Sequence, residues 1–409
     1  MQMRPSSIRV DLVIQGGASR PALKYEEADR ADFAAGSAEM DFGSSPAVVA
    51  SLHEALLERN LGYLEASLIR DVAHACVSWT GGAWRWDADR DWVRLVPDAA
   101  GAITAAQKLF ARPGSTLIYS SPLYPRLWRD AASIGMEPIA VPLLVEAGRY
   151  QLDLAGFERA LRSATNPIVM LCNPHNPTGH VAQRQELKEL SALVHRWGGI
   201  VISDEVHAPL TFSLAQHIPY ASVSDDARLH SITILSTSKG WNTSGLKCSQ
   251  VIMANDVHRD LWDRSLEVKM LMNSTSRLGA VAARAAYQDR STWRTEVIAI
   301  LESNATRLEE WVRISKTMTM VPPQASFLAW VEFDEARNAA SLFPADAFRA
   351  AGVHVQAGAI FDPGDFRHIR MNFALPEDRF GLLLNAAEGL CSRDGLWHLN
   401  KRAHLGVSS

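Results

Sequence analysis

Pro167 to Gly179 reads PIVMLCNPHNPTG, Gly199 to His207 reads GIVISDEVH, and Ser231 to Asn242 reads SITILSTSKGWN. Each begins as a short apolar run rich in β-branched residues and ends in polar or turn residues. That is the pattern of a strand buried on both faces. Thr116 to Ser120 (TLIYS) is a fourth such run. Between the first two lies a helical period with Leu187, Leu190, Val194 and Trp197 on one face, stopped by Gly198 and Gly199. Buried strands joined by helical crossovers predict a mainly parallel α/β sheet, and such sheets bind ligands at the carboxyl ends of their strands. Three consecutive strand ends here deliver an amide (Asn176), a carboxylate (Asp204) and an amine (Lys239) to one edge.

Upstream, Val96 to Gly101 (VPDAAG) opens a helix with Ile103, Ala106 and Phe110 on its apolar face. The free N–H groups of its first turn suit a phosphate. Before it, Ser45 and Pro46 read as the cap and first residue of a helix with Val48, Leu52, Ala55 and Leu56 on one face. Residues 1–45 read as an irregular arm. From Trp293 an amphipathic helix carries apolar residues at 297, 300, 301, 308, 311 and 312. Residues 318–390 mix short strands with helices around a turn at Asp362-Pro363-Gly364, and the chain from about Ser392 reads as a polar tail. The expected division is an arm at 1–45 joining the small domain, a large α/β domain at 46–288, a smaller α+β domain at 289–392 and a tail at 393–409.

Composition narrows the function. The chain has 409 residues, 47% of them apolar and 21% charged, which excludes a disordered chain, a collagen or a coiled coil. Its net charge of −4 gives no electrostatic footprint for nucleic acid or an anionic membrane. Cys76, Cys172, Cys248 and Cys391 show no CxxC pairing, which speaks against a disulfide framework and a cysteine-based metal site. No apolar h-region precedes Asp11 and no uncharged run approaches a membrane span, so a cytoplasmic protein is expected. His175 and His180 flank one loop without making a metal site. The Trp79, Trp84, Trp86 and Trp92 cluster reads as core or interface.

The boxes NPxNPTG, SDEVH and SxSKxxN, in this order, resemble those of fold-type I pyridoxal-phosphate (PLP) enzymes, the aminotransferase class I/II superfamily. Ala38 to Phe42 (AEMDF), Gly62-Tyr63 and SDEVH resemble the MalY/PatB-like cystathionine β-lyase branch. The resemblance covers roughly residues 36–390. It implies a large domain with a mainly parallel seven-stranded sheet flanked by helices, a smaller C-terminal domain, and PLP as cofactor.

Residue by residue, it implies that Lys239 joins the cofactor aldehyde covalently and later moves the Cα proton. Asp204 pairs with the pyridine nitrogen, Asn176 and His207 neighbour the ring oxygen, and Tyr124 stacks on the ring; with Lys239 and Asp204 it completes the catalytic set. Ala99, Ala100, Ser236, Ser238 and Lys247 hold the phosphate. Tyr63 reaches the phosphate of a neighbouring subunit, which implies a homodimer with a shared active site. Arg370 grips the substrate α-carboxylate in bidentate fashion, and Ser37, Ala38 and Asn176 are further substrate contacts.

Three positions depart from the pattern. Gly36-Ser37 stand where a tryptophan commonly precedes the AEMDF-like box, Asp98 replaces a small residue beside the phosphate, and Ser326-Phe327 stands where Thr-Tyr is common. The expected activity is carbon–sulfur β-elimination from an L-cysteine conjugate such as cystathionine, releasing thiol, pyruvate and ammonia. An aminotransferase using the same residues is the alternative, and another PLP reaction of specialised metabolism a more distant one. A non-enzymatic regulator on this fold remains a further reading, but no DNA-binding segment or basic stripe supports it.

Overall fold

The computed structural model describes residues 23–29, 31–333 and 343–391. The arm is less irregular than its composition suggests. After residues 1–22, which lie outside the described residues, it forms α1 (Leu23–Glu27) and β1 (Phe33–Ala34). Next come α2 (Pro46–Leu57), α3 (Ala66–Trp84), β2 (Val93–Val96), α4 (Ala99–Phe110), β3 (Thr116–Ser121) and β4 (Glu137–Pro142). A small hairpin, β5 (Leu144–Glu146) and β6 (Arg149–Gln151), precedes β7 (Ile168–Cys172), β8 (Ile200–Asp204), β9 (Ser231–Ser236) and β10 (Ser249–Ile252). A long helix, Trp293–Ile314, leads into β11 (Met318–Met320), β12 (Leu328–Phe333), β13 (Val353–His354), β14 (Gln356–Ala357) and β15 (His368–Asn372).

Seven strands form one sheet in the order β2-β10-β9-β8-β7-β3-β4. Only β10 runs antiparallel to its neighbours, so the sheet is mainly parallel. Strands β3, β7 and β9 are buried along their whole length, as strands between two helical layers must be. Register then aligns the chemistry: Asp204 of β8 sits opposite Cys172 of β7 and Ile234 of β9. The Asn173–Gly179 loop, the Asp204–His207 turn and the Lys239 helix therefore leave one edge together.

The second sheet is antiparallel, in the order β11-β12-β15-β14, and places Arg370 between Trp330 and Gln356. Strand β1 pairs in parallel with β13, which ties the arm to this part of the chain. The tryptophan cluster packs inward: Trp79 lies 4.7 Å from Trp84 and 5.4 Å from Trp241, ring centre to ring centre. No described helix is long and apolar enough to cross a membrane.

Two local expectations change. Ser45 occupies the cap position of α2, but its hydroxyl donates to Asp289 rather than capping the helix. Leu56 is half exposed, with Val49 and Leu57 exposed beside it. The helix buries Val48 and Ala55 and leaves a second apolar face uncovered among the described residues.

Candidate active site

A cavity of about 590 Å³ opens at the carboxyl edge of the large sheet. The expected residues Lys239, Asp204, Asn176, His207, Tyr124, Ala99, Ala100, Ser236, Ser238, Lys247, Arg370, Ser37 and Ala38 all line it. Tyr63 does not; its side chain is fully exposed.

Lys239 sits in a short helix, Thr237–Gly240, whose N-cap Ser236 accepts the Ser238 N–H at 3.1 Å. Its Nζ donates to the Ala38 carbonyl at 2.9 Å. Burial, aided by the Arg370 guanidinium, brings the amine down to about 8 against the pull of Glu39 and Asp204. An appreciable fraction is therefore neutral and nucleophilic near physiological pH. Asn242, in the left-handed conformation at φ 55°, steadies this arrangement. Its amide donates to the Met40 and Gly43 carbonyls at 3.0 and 3.1 Å and accepts the Met40 N–H at 3.3 Å. The box that supplies the amine thus also clamps the AEMDF loop against it.

Asp204 ends β8 and is 7% exposed. Burial lifts its carboxyl to about 6, opposed by the Val206 N–H at 3.2 Å and by Lys239. Its second oxygen makes no hydrogen bond among the described residues. His207 is held by Ser326 at 2.8 Å from Nδ1. Burial, then Lys239 and Arg370, push this imidazole well below its ordinary range, so it is neutral. Ser326, one of the departing positions, is therefore the partner that orients His207.

Arg370 is 2% exposed and donates to three acceptors: Asn176 Oδ1 at 3.0 Å, the Gly36 carbonyl at 2.9 Å and Gln356 Oε1 at 2.6 Å. The last two share Nη2, and the guanidinium packs 4.7 Å from the Phe361 ring centre. Burial brings Arg370 down to about 10, so it stays a cation at neutral pH. Asn372, two residues on, donates to the Ser37 and Glu39 carbonyls, each at 2.7 Å. The two sheets therefore meet through the 36–43 loop.

At the other end of the cavity, Asp98 caps α4 by accepting the Gly101 N–H at 2.8 Å, and its other oxygen meets Lys247 at 3.2 Å. A carboxylate here would repel a phosphate, and that repulsion is moderated by the helix cap and the cation.

This donor set fits a pyridoxal phosphate. A cation, two hydroxyls and a helix N-terminus (Lys247, Ser236, Ser238, α4) lie at one end. A carboxylate with one oxygen free of hydrogen bonds among the described residues and a neutral imidazole line the middle. The Ser238 and Tyr124 hydroxyls make no hydrogen bonds among the described residues and remain available to a ligand. Sequence reasoning missed the roles of Asn242, which sits in the SxSKxxN box, and of Asn372, two residues after Arg370. It assigned no role to Glu39 within the AEMDF box and gave no signal for Glu27 or Gln356, which line the same cavity from distant segments.

The chain is similar to cystathionine beta-lyase PatB of Bacillus subtilis, 27% identical over 336 residues that cover 82% of this chain and 86% of that protein. It is 29% identical to the cystathionine beta-lyase of Corynebacterium glutamicum over 343 residues, covering 82% and 88%. The crystal structure of cystalysin from Treponema denticola, which contains a pyridoxal 5'-phosphate cofactor, superposes with a TM-score of 0.84 over 94% of this chain and 98% of that one. At 21% identity that likeness speaks for the fold alone. The family model for aminotransferase class I and II matches residues 33–386, and the chain belongs to that family.

Proposed function

We propose that this protein is a PLP-dependent carbon–sulfur β-lyase. It would act on an L-cysteine conjugate such as cystathionine, with water completing its conversion to thiol, pyruvate and ammonia. The observation that carries this reading is the convergence of a neutralisable amine, a buried carboxylate and a buried guanidinium on one cavity, in a chain whose relatives over four-fifths of its length are cystathionine β-lyases.

When bound, the cofactor supplies an aldehyde that an amine can join and a pyridine ring that accepts electron density from the substrate α-carbon. Lys239 is the residue to hold it covalently, Asp204 to keep the ring nitrogen protonated, Asn176 and His207 to neighbour the ring oxygen, and Tyr124 to cover the ring face. Ala99, Ala100, Ser236, Ser238 and Lys247 are the phosphate cradle. Arg370 orients the substrate by its α-carboxylate, with Asn176, Ser37 and Ala38 beside it. Lys239 Nζ, unprotonated part of the time, takes the α-proton and can return it to the departing sulfur. Residues 46–288 would form the cofactor-binding unit, and 289–392 with the arm 1–45 the unit that carries Arg370; the tail at 393–409 lies outside the described residues.

A homodimer with a shared site belongs to this reading. The exposed apolar side chains of Leu57, Leu61 and Tyr63 (69%, 61% and 100% exposed) support it, since so large a patch calls for a covering surface. Arg277 fixes that loop through Glu65 and the Asn60 carbonyl. Gel filtration, and activity restored by mixing Tyr63 and Lys239 variant subunits, would support the shared site; no complementation would contradict it.

The decisive assay supplies L-cystathionine with and without a 2-oxo acid. Pyruvate and ammonia without the oxo acid support the lyase. A strict oxo-acid requirement identifies an aminotransferase, the other activity this catalytic set serves.

A further inference from the structure

A second groove of about 460 Å³ adjoins the active-site cavity and shares Glu27 and Gln356 with it. It is lined by charged and polar side chains of both signs, including Arg349, Asp346 and His354. The chain from Val353 to Ala357 is extended, with Val353 and Val355 buried and His354 and Gln356 half-buried. His354 and Gln356 therefore share one face, about 7 Å apart at the strand rise per residue.

Each of these two side chains meets an arginine. Gln356 accepts from Arg370, as described above, and His354 Nδ1 lies 3.2 Å from Nη2 of Arg349. The Glu27 carboxylate acts between them: it is close enough to favour the protonated form of both His354 and Arg370. It also accepts a hydrogen bond from the Ser37 hydroxyl. Gly36 makes room for this wall, because a Cβ there would lie 2.6 Å from the His354 ring. The departure from tryptophan at this position thus brings the His354 imidazole against the loop.

We propose that this groove is the subsite for the part of the substrate that leaves on sulfur, and that it recognises an amino-acid head: a carboxylate on Arg349 and an ammonium on Glu27. Two arginines, Arg370 on Gln356 and Arg349 on His354, are held by same-face neighbours of one extended segment and match a conjugate whose two amino-acid heads are joined by a short thioether chain, as in cystathionine. The inference rests on the lyase reading and extends it to specificity. Arg349 would distinguish conjugates by their distal charge and leave the shared chemistry at Lys239 untouched.

The test compares L-cystathionine with S-methyl-L-cysteine, which has the same Cβ–S bond and no distal charge. Arg349→Met is expected to lower kcat/KM for L-cystathionine by about tenfold or more, the loss of one charge-assisted carboxylate contact, and that for S-methyl-L-cysteine by less than about twofold. Arg349→Lys should recover part of the loss. Calorimetric titration of Lys239→Ala protein with each conjugate, with and without Arg349→Met, reads the same selectivity as a Kd. Equal effects of Arg349→Met on both conjugates, or no effect on either, would overturn the subsite. Absence of pyruvate from both conjugates in the wild type would instead overturn the lyase reading, and the titrations would still decide whether Arg349 binds the distal head.

Discussion

The reactivity of Lys239 is the most direct consequence of the site's electrostatics. Moving an amine from 10.5 to about 8 amounts to roughly 3 kcal/mol of disfavour for the ammonium. At pH 7.5 about a quarter of such an amine is neutral, against about 0.1% of an ordinary lysine. Burial is the larger cause and Arg370 the next. Removing the guanidinium charge with Arg370→Gln should therefore raise the Lys239 value only part of the way. For charges on the order of 10 Å apart at an effective dielectric near 20, the change is about 1.7 kcal/mol, or about one pH unit. Arg370→Lys keeps the charge and should leave it in place. The assay is the pH dependence of Lys239 acylation in cofactor-free protein, read by peptide mass spectrometry. A wild-type midpoint near 8, shifted to about 9 in Arg370→Gln and unshifted in Arg370→Lys, is expected. A wild-type midpoint near 10, or identical midpoints in all three proteins, would refute the argument that desolvation and Arg370 activate this amine.

Asp204→Asn should lose on the order of a hundredfold in kcat/KM for pyruvate release while stabilising the cofactor-free protein. A carboxyl raised from 3.8 to about 6 binds protons more tightly in the folded state, so wild-type stability falls as pH rises through that window. The variant should be about 3 kcal/mol more stable at pH 7, with the gap closing as pH falls from 6 to 4 in denaturant unfolding. Asn242→Ala removes three hydrogen bonds to the 40–43 loop and should destabilise by about 2–3 kcal/mol, measured in the same way. Asp98→Ala should weaken α4 by about 1 kcal/mol through the lost cap, yet slow cofactor loss on dialysis severalfold by removing a negative charge beside the phosphate cradle. Faster loss on dialysis would show that Asp98 assists binding through Lys247.

The sequence by itself determined the large sheet and the order of its chemistry. Runs such as PIVMLC and SITILS have a composition that only a doubly covered strand tolerates, and each motif box begins where such a run ends. In-register parallel pairing brings those ends to one edge, so Asn176, Asp204 and Lys239 were legible as neighbours. What the sequence could not state is everything that depends on segments far apart along the chain. Gln356 and Glu27 carry no motif, and they matter only because the second sheet sets Arg370 between Trp330 and Gln356 and because α1 borders the same cavity. The sequence put Val48, Leu52, Ala55 and Leu56 on one face of α2, but periodicity reports amphipathicity, not what covers it, and Leu56 is half exposed. The pairing of Asp98 with Lys247 likewise depends on how a loop after β9 approaches the start of α4. Local composition fixes which strands and boxes exist; contacts between residues separated by a hundred positions or more are set by packing, which no local pattern encodes.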